Sequence, residues 1–134
     1  MPEIYMLDTD ICSYIIKNRS ARLRNIFNAH YRNNAVCISA VTYAELMAGA
    51  MRSGSMRLEE RISDFTSLLK ITDWTFSCAR QFAIIQTALL NAGTPIGNMD
   101  TMIAAAALDI DATLATNNET HFKRVTGLKI ENWL

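Results

Sequence analysis

Short apolar runs alternate with longer amphipathic segments along the whole chain. The runs suited to buried strands lie at residues 4–7, 35–38, 69–72, 112–116 and 128–130. Apolar residues at helical spacing between them predict helices at 10–17, 20–33, 40–52, 56–68, 74–91 and 99–108, followed by a short helix around Phe122. Because strands that alternate with helices favour a parallel sheet covered on both faces, the pattern predicts an α/β fold.

The carboxyl ends of the predicted strands should share one edge of the sheet, because the crossovers between parallel strands are right-handed. Leu7, Ile38 and Ala115 lie at the ends of three of these strands. Ligands of open α/β sheets bind beyond the carboxyl ends of the strands. Polar residues that follow these three positions are therefore candidates for a functional cleft.

Asp8 ends the first apolar run abruptly, and Asp10 follows two residues later. The position beyond a strand end suits a side chain that projects into a functional cleft. The same carboxylate could instead cap the helix that begins next, because Asp is a favoured N-cap residue. The residues themselves leave both interpretations open.

The composition is that of a globular protein. With 134 residues the chain is long enough to bury a substantial core, and we expect a single domain over residues 1–134. Half of the residues are apolar, which argues against disorder. The apolar runs are shorter than the roughly 18–20 residues that cross a bilayer, so we expect no membrane partner. Residues 1–16 lack the basic start and the cleavage site of a signal peptide.

The three cysteines, Cys12, Cys37 and Cys78, are far apart and set among apolar residues. An odd number without close pairs argues against a disulfide framework or a zinc site. We expect them to be small buried side chains in a reducing compartment, which indicates a cytoplasmic protein.

The formal net charge is zero, so overall charge gives no support for a polyanionic partner. Its distribution is uneven, because residues 11–44 contain five basic side chains and no acid: Lys17, Arg19, Arg22, Arg24 and Arg32. A basic segment beside an acidic cleft would suit a phosphodiester substrate. A solvated helix face explains the same residues with fewer assumptions, and both interpretations stay open.

Three acids and two asparagines occupy the positions from which side chains should reach the same edge of the sheet. Asp8 follows the first strand, Glu45 lies in the apolar helix after the second, Asp100 begins the alanine-rich helix, and Asn117 and Asn118 follow the fourth strand. Carboxylate and amide oxygens suit Mg²⁺ or Mn²⁺ better than Zn²⁺. A divalent cation would relieve the repulsion between clustered carboxylates and assist phosphodiester hydrolysis.

Each of these residues also has a purely structural explanation. Asp100 could be placed there by its favourable interaction with the dipole at the start of a helix, Glu45 could reach solvent, and the asparagines could form a turn. The metal-site interpretation depends on all of them meeting at one edge.

Five motifs in this order and spacing resemble the PIN-domain ribonucleases and, within them, the VapC toxins of bacterial toxin–antitoxin pairs. The resemblance covers the whole chain. The motifs are Met6-Leu7-Asp8-Thr9-Asp10, Ile38-Ser39 with Thr42-Tyr43-Ala44-Glu45-Leu46, Gly93-Thr94-Pro95-Ile96-Gly97-Asn98-Met99-Asp100 with Ile103-Ala104-Ala105, Thr116-Asn117-Asn118 with Phe122, and Gly127-Leu128-Lys129-Ile130-Glu131-Asn132-Trp133.

The resemblance implies a three-layer α/β/α sandwich and a metal-dependent endoribonuclease that uses Mg²⁺ or Mn²⁺. Asp8, Glu45 and Asp100 match the three family acids. The resemblance also implies a homodimer, a small VapB-type antitoxin that covers the active site, and operator DNA bound only through the antitoxin complex. The final segment and the Gly-Thr-Pro turn look most like the subgroup that cuts initiator tRNA in its anticodon loop.

Two positions depart from the family pattern. Asp10 stands where the family often has Asn, which adds a negative charge near the expected metal. The fourth acidic position falls on Asn118, so Asn118, Asn117 or Glu119 could supply the fourth group. We expect His121 nearby to have a surface or helix-packing role.

The mechanism we expect has Asp8 and Asp100 holding the cation, Glu45 ligating through water or orienting the attacking water, and Asn118 completing the shell. Hydrolysis would be in-line. A degenerate PIN domain that binds RNA or a partner without cleaving it is the alternative, because Asn118 carries no charge.

The acid-x-acid sequence Asp8-Thr9-Asp10 also matches the start of haloacid-dehalogenase-like phosphatases, in which the first Asp is a nucleophile and the second a general acid. Those chains have Thr or Val where this one has Cys12, need a downstream lysine and are normally longer. Trapping of an aspartyl-phosphate analogue on Asp8 would support that interpretation.

Overall fold

The computed structural model describes residues 2–134, and over these residues the chain forms five short strands and seven helices. The strands are β1 Tyr5–Leu7, β2 Val36–Ser39, β3 Lys70–Thr72, β4 Thr113–Ala115 and β5 Lys129–Glu131. The helices are α1 Thr9–Ile16, α2 Ala21–Arg32, α3 Ala40–Ser53, α4 Met56–Ser67, α5 Phe76–Asn91, α6 Asn98–Asp109 and α7 Glu119–Phe122.

The strands form one parallel sheet in the order β3-β2-β1-β4-β5. The first strand lies at its centre, with Met6 opposite Cys37 on one side and Leu114 on the other. Leu7 pairs with Ala115, so β1 and β4 end at the same level. The predicted alignment of strand ends along one edge is confirmed.

Alternate residues of β1 point into two separate apolar layers, as the period of a strand requires. Tyr5 and Leu7 face a core with α1 to α4, whereas Met6 faces a core built largely by α5 and α6. The alanines of α6 are almost completely buried, which lets this helix lie close to the sheet. Two helical layers around one sheet give the expected three-layer α/β/α sandwich.

Local capping explains most helix starts. Ser20, Ser39, Ser55 and Thr75 each accept a hydrogen bond from a backbone N–H of the helix that follows. Because Thr75 is the cap, α5 begins at Phe76 and not at residue 74 as the sequence pattern predicted.

Gly97 precedes α6 with φ +91 and ψ 154, a backbone conformation that essentially only glycine adopts. Its carbonyl accepts hydrogen bonds from both the backbone nitrogen and the hydroxyl of Thr101, the latter at 2.7 Å. This turn sets the position of Asp100 in the first turn of α6.

The three cysteines are free and buried, as expected for small apolar side chains. Within residues 2–134, the helices all fall short of the length and apolar character that a bilayer crossing demands.

Candidate active site

A small cleft of about 90 Å³ lies at the carboxyl edge of the sheet, between the ends of β1 and β4 and the starts of α1 and α6. Seven residues line it: Asp8, Thr9, Asp10, Glu45, Asp100, Asn118 and Phe122. The structure therefore brings Asp8, Glu45, Asp100 and Asn118 to one site, although they come from four separate segments of the chain.

Asp8 is the most buried acid of the cleft, with 4% of its surface exposed. Its Oδ1 accepts a hydrogen bond of 2.9 Å from the backbone nitrogen of Ile11, so it caps α1. Its Oδ2 accepts a hydrogen bond from the hydroxyl of Thr116, which follows β4. The two interpretations of Asp8 are thus compatible, because the same side chain caps a helix and lines the cleft.

Burial raises the pKa of Asp8 from its ordinary value of 3.8 to about 6. Hydrogen bonds from Thr116 and Ile11 oppose this effect, and the negative charges of Asp10 and Asp100 add to it. The charged form of a carboxylate in this position is unfavourable unless a positive charge lies near it. The cleft is therefore suited to a cation.

Glu45 reaches the cleft from α3 and is half-buried. The hydroxyl of Thr9 donates to Glu45 Oε1 at 2.6 Å, which joins the first turn of α1 to α3. This bond fixes one oxygen of Glu45 next to the start of α1. Glu45 is therefore held at the cleft by α1 itself.

Asp100, Asn118 and His121 meet on the other side of the cleft. His121 Nδ1 lies 3.3 Å from Asp100 Oδ2 and 2.9 Å from Asn118 Nδ2. The backbone nitrogen of Asn118 donates to the Thr116 hydroxyl at 2.9 Å, so the same threonine orients both Asp8 and Asn118. His121 is partly exposed, in keeping with the expected surface position, and its ring also contacts two residues at this cleft.

Asn117 and Glu119 were the other candidates for the fourth group. Each accepts a hydrogen bond of 3.3 Å from the side-chain amide of Asn132, and both side chains are exposed. Asn118 is the member of this group that lines the cleft.

The carboxylate groups of the cleft are not arranged around a single ion position. Among residues 2–134, no three acid, histidine or cysteine side chains stand close enough to hold one ion as they are oriented. Glu45 is turned towards Thr9, and Asp100 towards His121. The donor set nevertheless fits a hard divalent cation, because three carboxylates and an amide share a cleft in which burial and the charges of Asp10 and Asp100 disfavour the charged form of Asp8.

Sequence reasoning missed the two threonines that hold the acids, Thr9 and Thr116. Thr116 directly follows β4 and Thr9 is the second residue after β1, and a hydroxyl beside a buried acid is a common partner for it. That placement is the signal that could have identified them.

A larger groove of about 370 Å³ adjoins the cleft between α1, α3 and α4. Thr9, Asp10 and Glu45 line both cavities. The groove is lined by Lys17 and by a set of apolar side chains. The apolar ones are Ile16, Leu46, Ala50, Leu58 and Ile62. Lys17 and the four arginines of residues 11–44 are exposed.

Comparison with known proteins gives concordant matches over nearly the whole chain. The family model described as PIN domain matches residues 5–128. The chain is 37% identical over 131 residues to "Ribonuclease VapC2" of Rickettsia felis, with 97% of this chain and 98% of that protein covered. It is 38% identical over 133 residues to "tRNA(fMet)-specific endonuclease VapC" of Shigella flexneri, with 96% and 97% covered.

Solved structures agree with these relatives. VapBC2 from Rickettsia felis bound to a DNA fragment from its promoter matches with a TM-score of 0.92 and 36% identity, over 98% of this chain and 99% of that chain. DNA-bound VapBC from Salmonella typhimurium matches with a TM-score of 0.88 and 34% identity, over 99% and 100%.

Proposed function

Because this chain belongs to the PIN-domain family, among its VapC ribonucleases, we propose that it is the toxin of a VapBC-type toxin–antitoxin pair. It hydrolyses RNA phosphodiester bonds and depends on Mg²⁺ or Mn²⁺. Residues 1–134 act as a single PIN domain. The observation that carries the proposal is the shared cleft of Asp8, Glu45, Asp100 and Asn118, with its buried acid short of positive charge.

Asp8, Asp100 and Glu45 would hold the cation, and Asn118 would complete the set. When bound, a divalent cation stabilises negative charge on the phosphate and activates a water molecule for attack. Asp8 is prepared for this role by the Ile11 and Thr116 hydrogen bonds, which favour its charged form.

Glu45 is suited to orienting the attacking water. Its Oε1 is engaged by Thr9 at 2.6 Å, which fixes the carboxylate while leaving Oε2 for water. The attack is in-line on phosphorus, and water is the nucleophile. A positioned carboxylate of this kind contributes by orientation and by accepting a proton.

The substrate we propose is tRNA, with the anticodon loop of initiator tRNA as the first to test. The printed name of the Shigella flexneri relative supports this choice. Lys17 lines the groove that adjoins the cleft, and the four exposed arginines of residues 11–44 add positive charge that suits a polyanion.

The partner we propose is a VapB-type antitoxin whose C-terminal segment covers the active site. The matching VapBC complexes support it, and so does the apolar groove that opens from the cleft. We also propose that the toxin is a homodimer and that operator DNA is bound only through the antitoxin complex. The free cysteines and an RNA substrate agree with a cytoplasmic location.

The first test compares Asp8→Asn and Asp100→Asn with Asp64→Asn, in which an exposed acid of α4 is removed. The two cleft variants should lose tRNA cleavage while circular dichroism shows an intact fold, and Asp64→Asn should retain full cleavage. Cleavage that survives in either cleft variant would reject the assignment.

The second test distinguishes the enzyme from a degenerate RNA-binding module. The module is the alternative because Asn118 carries no charge. Chelation should abolish cleavage, and added Mg²⁺ or Mn²⁺ should restore it. RNA binding that is indifferent to the cation, without cleavage at any concentration, would favour the module.

A further inference from the structure

We propose that His121 is a ligand of the cation in this cleft, through Nδ1, and that the site therefore prefers Mn²⁺ to Mg²⁺. The inference rests on the proposed metal dependence and goes beyond it, because it assigns a nitrogen donor to a site otherwise built from oxygen. It arises from three donor groups that converge on one side of the cleft: Asp100, Asn118 and His121.

The spacing of His121 and Asp100 is close to that of neighbouring ligand atoms in one coordination shell. His121 Nδ1 is 3.3 Å from Asp100 Oδ2 and 2.9 Å from the amide nitrogen of Asn118. An octahedral ion with bonds of about 2.0–2.1 Å sets adjacent ligand atoms about 2.8–3.0 Å apart. The ring nitrogen and the carboxylate oxygen thus lie within a few tenths of an ångström of that separation, and the Asn118 oxygen would join them after the amide turns over.

The protonation state of the ring decides what these contacts offer. A protonated Nδ1 donates to Asp100, whereas an unprotonated Nδ1 accepts from the Asn118 amide and places its lone pair near the Asp100 carboxylate. In the unprotonated form the ring nitrogen and the carboxylate can both act as donors to a cation, and a half-turn of the amide adds the Asn118 oxygen.

The ring is both held in place and open to solvent. Its neighbour Phe122 is 1% exposed and anchors α7 in the core below the cleft. The side chains of His121 and Asp100 remain 40% and 31% exposed. Both groups are therefore accessible to an ion from solvent.

The nitrogen donor decides the preference between ions. Mg²⁺ favours oxygen ligands and is usually held by one or two carboxylates and water. Carboxylate and water ligands suit both ions, but Mn²⁺ is a first-row transition-metal ion and accepts an imidazole ligand more readily than Mg²⁺ does. A shell that contains His121 should therefore bind Mn²⁺ better, relative to Mg²⁺, than an oxygen-only shell would.

The test measures Mn²⁺ binding to the full chain after chelation, by electron paramagnetic resonance titration and by pulsed detection of ¹⁴N coupling to bound Mn²⁺. Wild type should show the coupling of a directly bound imidazole. His121→Gln and His121→Glu should lose it. His121→Gln should bind Mn²⁺ about 10- to 100-fold more weakly, the range known for disturbed metal shells.

His30→Gln is the matched control, because the chain has two histidines and His30 stacks on Trp133 and packs at a tilt against Tyr5. This variant should keep the coupling. His121→Glu supplies an oxygen-only set, so its affinity ratio of Mn²⁺ to Mg²⁺, measured by calorimetry, should fall below that of wild type.

Bound Mn²⁺ without ¹⁴N coupling, or equal Mn²⁺ affinity in wild type and His121→Gln, would overturn the role of His121 and leave the proposed metal dependence intact. Absence of Mn²⁺ binding to wild type would overturn both.

Discussion

Replacing Asp8 by Asn should make the cation-free protein more stable at pH 8 while it abolishes RNA cleavage. The carboxylate is almost fully buried, and this burial raises its pKa to about 6. The amide of Asn has the same shape, can still accept from the Ile11 nitrogen, and is an equally favoured N-cap. The substitution therefore removes a buried charge without removing the helix cap.

The sign follows from proton binding. Between pH 3.8 and about 6 the folded protein holds a proton on Asp8 that the unfolded chain has released. Since the folded state binds more protons in this window, stability falls as pH rises through it. The cost of the buried charge is absent below pH 3.8 and complete above about pH 6.

The magnitude follows from the same shift. A change in pKa from 3.8 to about 6 corresponds to about 3 kcal/mol at about 1.4 kcal/mol for each tenfold change in acidity. The Thr116 hydroxyl then faces an amide and loses its charged acceptor, which costs about 1–1.5 kcal/mol. We expect Asp8→Asn to raise the free energy of unfolding by about 1–2 kcal/mol at pH 8.

Urea unfolding in the presence of chelator, at pH 4 and at pH 8, measures this difference directly. The free energy of unfolding of the variant should be higher than that of wild type at pH 8, and this difference should disappear at pH 4. Saturating Mn²⁺ should reverse the order, because it stabilises only the protein that binds it, by about 2.7 kcal/mol at a hundred times the dissociation constant. A variant less stable than wild type at pH 8, or a gap that is the same at both pH values, would refute the reasoning.

Three further predictions test other parts of the site. Thr116→Val removes a hydrogen bond that lowers the pKa of Asp8, so the acid limb of the pH–rate profile should move to higher pH. The free energy of unfolding in urea should fall by about 1–3 kcal/mol. An acid limb that stays in place would contradict this prediction. Asp10→Asn removes an exposed charge from the cleft and should weaken cation binding about two- to fivefold by calorimetry; unchanged or tighter binding would count against this role. Gly97→Ala should destabilise the fold by about 1–3 kcal/mol, because the φ of Gly97 is +91. Gly49→Ala within α3 should instead stabilise the fold by about 0.5–1 kcal/mol. Equal melting curves of the two variants would contradict the strain argument.

The architecture could be predicted from the sequence because buried parallel strands and amphipathic helices carry distinct patterns. Most element boundaries fall within one or two residues of the expected ones. The start of α5 differs because Thr75, a cap, outweighs the apolar Trp74, whose ring nitrogen instead donates to the carbonyl of Met102 at 3.1 Å. A period in hydrophobicity does not report which residue satisfies a helix start.

The position of the acids could also be predicted, because strand ends and crossovers determine which backbone segments meet. The orientation of their side chains could not. Thr9 with Glu45 and Thr116 with Asp8 pair across 36 and 108 positions of the chain. Such pairs depend on rotamers selected by local hydrogen bonding and charge, and sequence spacing contains no information about them.

The central place of β1 has a consequence for the moment at which activity arises. Its neighbours are β2 and β4, so the middle of the sheet joins the first residues of the chain to residues 113–115. Pairing across such a sequence distance raises the contact order and forms slowly. A chain still emerging from the ribosome carries Asp8 without Thr116 or Asp100, so the proposed active site cannot form until the later segments have been synthesised and have folded onto the first strand.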